Sequence, residues 1–168
     1  SPHHTFLTQR FDRVGSLRRH FSSAMTQLGY YDGDAGASYL ELAQFLIEQG
    51  ANTEQDLHQL WRRMVFNILV SNADDHLRNH GFLLAENNSG WRLSPAYDIN
   101  ISLGAAGLHL NIDEHSNALD LELALEVSPY FQLSPSKARL IIDQLQKITH
   151  QWQQYANEIG IHRQEQQL

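Results

Sequence analysis

From Leu57 to Leu69 the apolar residues fall at helical spacing, and the segment they build leads straight into the most chemically loaded stretch of the chain. Leu57, Leu60, Trp61, Met64, Val65, Ile68 and Leu69 obey the i, i+3, i+4, i+7 rule of a helix with one face in a core. The pattern stops at Ser71. It gives way to Ser71-Asn72-Ala73-Asp74-Asp75-His76-Leu77-Arg78-Asn79-His80-Gly81, a run of carboxylates, amides and imidazoles. A buried helix ending there is a rigid support for whatever those side chains do.

The flanking segments extend the same reading to a mainly α chain with a few short strands. Ser38-Tyr39-Leu40-Glu41 has the form of a capping box, opening a helix that Gly50 stops. Thr53 is placed to cap the next helix. Phe82-Leu83-Leu84 and Trp91-Arg92-Leu93 flank Asn87-Asn88-Ser89-Gly90, which predicts a β-hairpin. Thr5 to Arg13 reads as an opening strand and Leu108 to Ile112, which alternates, as another. Residues 119–127 form a short helix. Ser134 as cap and Pro135 at the first helical position begin the longest helix, ending at Gly160, with Ile141, Leu145, Ile148, Trp152, Tyr155 and Ile159 as its stripe. Trp61 and Trp152 are both read as core residues.

Composition narrows the function classes. The 168-residue chain has no cysteine, which excludes a disulfide scaffold and Cys-ligated zinc and fits a reducing cytoplasm. No apolar run approaches the roughly 20 residues that span a bilayer, so no membrane role is expected. A net charge of −7 argues against general attraction to nucleic acid. The charge is uneven, with Arg10, Arg13, Arg18 and Arg19 facing only Asp12 before residue 31.

Asp74 precedes Asn79 by five positions, and Leu93-Ser94-Pro95-Ala96-Tyr97-Asp98-Ile99 brings another carboxylate back past the hairpin. This is the layout of a kinase catalytic loop followed by its metal-binding Asp. Asp74 is the candidate base for an acceptor hydroxyl, Asn79 and Asp98 are candidate Mg²⁺ ligands, and His76 stands where it can donate to a transferring phosphoryl group. Asp and Asn also serve as plain turn residues, so the spacing alone decides little. Asp75 is read as a solvated neighbour or a cap, Arg78 as a partner of Asp74, Asp98 or phosphate or equally as half of a plain surface pair, and His80 and His109 as hydrogen-bonded loop or surface histidines. His76 and His80 stand four apart, but Leu77 occupies the Glu position of H-E-x-x-H, which argues against zinc.

The nucleotide-gripping half of a kinase has no counterpart. Lys137 and Lys147 are the only lysines, and no glycine-rich loop precedes a lysine-bearing strand. The expectation is the C-terminal piece of a longer protein, a chain completed by a partner, or one that has lost catalysis, with the first favoured.

Asp74-Asp75-His76-Leu77-Arg78-Asn79, the Leu93 to Ile99 segment and Arg10-Phe11-Asp12-Arg13 together resemble the HipA family of bacterial serine/threonine kinase toxins. The resemblance implies the helical C-terminal lobe of a protein-kinase-like fold. Residues 1–14 would be a hinge strand and 15–168 the lobe, with the N-terminal lobe absent. It implies ATP and Mg²⁺ as the reaction partners, Asp74 as catalytic Asp, and Asn79 and Asp98 as metal ligands. Gln9 and Phe11 would meet adenine through their backbone, and Asp12 would lie near the ribose. It further implies a protein substrate, typically an aminoacyl-tRNA synthetase, and a DNA-binding antitoxin, with DNA met only through that partner. Two other readings remain open: a non-catalytic antitoxin- or partner-binding module, and a small-molecule phosphotransferase of the aminoglycoside-kinase type.

Overall fold

The computed structural model describes residues 7–102, 104–163 and 166. Its first elements are short. β1 (Arg13–Val14) pairs with β2 (Leu17–Arg18), and β3 (Phe21–Ser23) leads into α1 (Ala24–Leu28). Two longer helices follow, α2 (Tyr39–Gln49) and α3 (Thr53–Leu69), then the hairpin of β4 (Gly81–Leu84) and β5 (Trp91–Leu93). α4 (Leu121–Glu126), α5 (Pro135–Thr149) and α6 (Trp152–Glu158) complete the chain. Helices carry most of the regular structure, as the periodicity predicts.

The centre of the core is α3. Leu57, Leu60, Trp61, Met64 and Val65 are fully buried, and the helix packs against α2, α5 and β5. Trp61 also donates its indole N–H to the Ala124 carbonyl at 3.0 Å, which satisfies the one polar atom on its ring. The capping box that opens α2 is present in full: Ser38 caps the Glu41 amide and Glu41 returns to the Ser38 amide at 2.8 Å. Thr53 is not a cap. It is the first helical residue, Asn52 takes the cap position, and the Thr53 hydroxyl donates to Leu46 O at 3.2 Å.

β3, β4 and β5 form one antiparallel sheet in that order, with Ser23 opposite Gly81 and Phe82 opposite Leu93. The hairpin turn reaches the end of α2. Gly90 has φ +138°, and a Cβ there would lie 2.6 Å from Gln49 O, so only glycine fits both the turn and the contact. The far strand is tied to α3 by Asp56, whose buried carboxylate receives Arg92 Nε at 2.8 Å and Nη2 at 3.1 Å, and the Leu93 amide at 3.1 Å. Asp56→Ala strands the Leu93 amide and the guanidinium fork together. Its expected cost is about 2–4 kcal/mol, read as a lowered midpoint in denaturant; a loss under ~0.5 kcal/mol would show that the tie is dispensable.

Three expected elements differ. Residues 7–12 form no strand, and Thr5 and Phe6 lie outside the described residues; the chain's first ladder is the small β1–β2 hairpin. Leu108, Leu110 and Ile112 are all buried, so the alternation is real, but the backbone is irregular. Ser38 makes the one bridge to Asn111, and the next residue enters α2, so no ladder can propagate. The expected helix from Pro135 to Gly160 breaks after Thr149. The His150 amide still reaches Gln146 O at 2.9 Å, the Gln151 amide turns to Ile148 O at 3.1 Å, and the Thr149 hydroxyl donates back to Leu145 O at 3.0 Å and Gln146 O at 3.1 Å. The stripe splits accordingly: Ile141 is buried, whereas Ile148, Trp152, Tyr155 and Ile159 line an open apolar cleft with Phe66 and Leu69.

Candidate active site

α3 stops where its last turn runs out of partners. Ser71 takes the left-handed conformation at φ +55°, and the Asn72 amide returns to Asn67 O at 2.9 Å. The chain then closes on itself through His76 N to Asp74 O at 3.0 Å and Asn79 N to His76 O at 2.8 Å, the second bond opening a single 3₁₀ turn at Leu77–Asn79.

The two adjacent aspartates meet opposite environments. The Asp74 side chain is 65% exposed, with the imidazole Nε2 of His76 3.9 Å from its Oδ1. Asp75 is 2% exposed. It accepts the Tyr39 hydroxyl and, at 2.9 Å, His80 Nε2. A carboxylate can only accept, so Nε2 carries the proton in that bond. Tyr39 in turn accepts Asn67 Nδ2 at 3.0 Å, and Asn67 Oδ1 accepts Asn72 Nδ2 at 3.2 Å. Burial opposes ionisation of Asp75, but the charge and hydrogen bond of His80, with the bonds from Tyr39 and Asn67, hold its carboxyl below the usual range. Burial, then the neighbouring Asp75 charge, pushes the Tyr39 phenol well up. The pair is therefore a carboxylate facing a neutral phenol. Asp75 is not the solvated neighbour or cap expected of it; His80 is the hydrogen-bonded loop histidine of the two readings offered, and it is fully buried.

Asn79 brings the segments together. It is 4% exposed, and its Nδ2 donates to the main-chain carbonyls of Asp74 at 2.9 Å and Asp98 at 3.4 Å. With Nδ2 so engaged, Oδ1 is the atom left for a cation, and it accepts nothing among the described residues. Further bonds fasten the same two segments on either side. The Tyr97 hydroxyl donates to Arg78 O at 2.7 Å, Ser102 N donates to Ser71 O at 3.1 Å, and the Ala73 amide donates to Ser102 Oγ at 3.2 Å. Asp98 sits at φ +54°, a conformation Asp tolerates better than most residues, and its Oδ1 accepts Asn100 Nδ2 at 3.0 Å. Burial pushes the Tyr97 phenol up to about 12. The Asp98 carboxylate and Asn79 Oδ1 are hard-oxygen donors, a type that suits a Mg²⁺-type cation better than a soft metal. No group of three His, Cys, Asp or Glu side chains clusters for a metal among the described residues.

The other expected contacts are distributed differently. Arg78 forms the plain surface pair of its two readings, with Asp32 rather than Asp74 or Asp98. Phe11 stacks near Phe21 and Tyr97, centroids 5.7 Å from each, and lines a cleft with Arg19, Leu83, Glu86 and Pro95. That cleft holds about 730 Å³, within the ~300–1,000 Å³ typical of small-molecule sites. Gln9 is exposed, and Asp12 is turned to Arg10 at 2.6 Å and Arg13 at 3.5 Å. Arg19 faces Glu86 at 2.8 Å, so much of the N-terminal basic charge is neutralised within the chain.

The Asp75–His80–Tyr39–Asn67 network is what reading the sequence missed. A signal existed: Asn67 lies three residues after Met64 on the buried stripe of α3, and a polar residue there needs a buried partner.

A family model described as the HipA-like C-terminal domain matches residues 1–152. The chain belongs to that family. Among solved structures, the HipA chain of the Shewanella oneidensis MR-1 HipA, HipB and operator DNA complex shares its fold at a TM-score of 0.66. The match has 20% identity and covers 85% of this chain and 39% of that one. A Haemophilus influenzae protein described as a putative kinase is 33% identical over 67 residues, which is 40% of this chain and 19% of that protein. The chain thus spans well under half the length of these two relatives. No helix among the described residues is long and apolar enough to cross a membrane.

Proposed function

We propose that this chain is the catalytic and Mg²⁺-binding lobe of a HipA-like serine/threonine kinase toxin, moving the γ-phosphate of ATP to a protein hydroxyl in the cytoplasm. The observation that carries the reading is the Asn79 amide, which touches the main chain of both Asp74 and Asp98. Asp74, exposed on a pinned loop, orients the acceptor hydroxyl and takes its proton. His76, beside it, donates to the transferring phosphoryl group. Asn79 Oδ1 and the Asp98 carboxylate are the residues that would hold Mg²⁺. When bound, the ion offsets charge on the phosphate oxygens. Phe11 forms a wall of the adenine cleft; Gln9 contributes backbone and Asp12 lies near the ribose.

The lysine and phosphate loop that grip nucleotide belong to an N-terminal lobe. Supplying such a lobe, in cis or in trans, is expected to give transfer of label from ATP to protein that depends on Mg²⁺. Absence of transfer from the completed, folded protein would reject the reading. By resemblance the acceptor is a component of translation such as an aminoacyl-tRNA synthetase.

An antitoxin partner is part of the same proposal. The solved relative was captured with HipB and operator DNA, and beyond residue 30 this chain carries a net −10, with 8 Lys and Arg against 18 Asp and Glu. That charge suits a basic DNA-binding partner and places DNA at one remove. A purely partner-binding, non-catalytic module is the second reading; partner affinity indifferent to Asp74, Asn79 and Asp98 in a protein without transfer would favour it.

A further inference from the structure

Asp75 and His80 stand at the two ends of the loop, one position after Asp74 and one after Asn79. Two closures of equal span therefore lie side by side. Asn79 Nδ2 reaches Asp74 O at 2.9 Å, and His80 Nε2 reaches Asp75 Oδ1 at 2.9 Å. The second closure is wholly buried, and its ends are held by different parts of the fold. His80 O accepts the Ala24 amide at 2.9 Å where β3 passes into α1, while the other Asp75 oxygen accepts the hydroxyl of Tyr39 from the first turn of α2.

We propose that the Asp75–His80 hydrogen bond is a clasp and Asp75 a positioning residue: it fixes the separation of Asp74 from Asn79. The catalytic half of this inference rests on the phosphoryl-transfer reading above; the structural half does not. An apolar pair would fill the same space and avoid burying an ionised carboxylate. It would not set the loop's width, because apolar contacts carry no direction. A hydrogen bond shortened to one geometry between two anchored ends does. Asp74 itself is exposed and has little else to hold it.

The test is amide hydrogen exchange on the folded 168-residue chain. The His76 and Asn79 amides report on the loop and the Val65 and Ile68 amides on α3. Asp75→Ala is expected to speed exchange at His76 and Asn79 by about tenfold or more relative to α3. Asp75→Asn, whose Oδ1 can still accept from His80 Nε2, should return it to within about threefold. Tyr39→Phe removes a bond to the same carboxylate outside the closure and should leave the loop within about threefold as well. His80→Asn, too short to reach Asp75, carries the same expectation as Asp75→Ala should that variant not fold. Equal acceleration in loop and helix, or no change in the loop, overturns the clasp.

In a protein completed with an N-terminal lobe, Asp75→Ala should lower kcat more than about tenfold with KM for ATP within about twofold, and Asp75→Asn should rescue it. Unchanged kcat beside a loosened loop overturns the positioning role. A completed wild-type protein without transfer defeats the kinase reading, and with it the catalytic half, while the exchange result still decides the clasp.

Discussion

Asp74→Asn, in a protein that also carries a nucleotide-gripping lobe, is expected to lower phosphate transfer by about 10²–10⁴-fold while leaving thermal stability unchanged. The reason lies in the contrast with its neighbour. Asp74 is 65% exposed and its carboxylate enters no hydrogen bond among the described residues, His76 Nε2 standing 3.9 Å away. Removing its charge therefore costs the fold little. What disappears is an acceptor for the hydroxyl proton, which an amide cannot replace at neutral pH. Truncating Asp75 to Ala should behave in the opposite sense, with stability moving and the Asp74 proton acceptor intact. Full transfer by Asp74→Asn would reject it as the base.

Asp98→Asn should raise the Mg²⁺ concentration needed for transfer by about 10–100-fold, again without loss of fold. Asn is the informative replacement because it accepts the φ +54° conformation of Asp98 as readily as Asp does, whereas Ala would add backbone strain to the result. Asp98 is the one anionic member of the proposed Asn79–Asp98 ligand pair, so its charge supplies most of the attraction for a divalent ion. A Mg²⁺ titration of transfer superimposable on that of the unmodified protein would remove Asp98 from the metal site.

Elements governed by neighbouring residues were legible. The Ser38–Glu41 capping box, the Asn87–Gly90 turn and the stripe of α3 each depend on contacts within a few positions, and the structure shows all of them. What escaped depends on partners far along the chain. Leu108, Leu110 and Ile112 alternate because alternate side chains reach the core, but a strand also needs a neighbour, and α2 begins where that neighbour would continue. Ile148, Trp152, Tyr155 and Ile159 keep helical spacing across the break after Thr149, and they face a cleft rather than the core.

The site shows the same division. Local spacing singled out Asp74, Asn79 and Asp98, and the structure brings their main chains together through one amide. Spacing said nothing of which of two adjacent aspartates is buried. That depends on Tyr39 and Asn67, 36 and 8 positions away from Asp75 in the sequence.

Paramagnetic broadening by Mn²⁺, with ATP present and an N-terminal lobe supplied, is the deciding measurement. Saturable broadening centred on the signals of Asp74, Asn79 and Asp98, competed by Mg²⁺ and lost in Asp98→Asn, is the expected result. Broadening centred elsewhere on the chain, or none at saturating nucleotide, would show that these three residues do not share a cation.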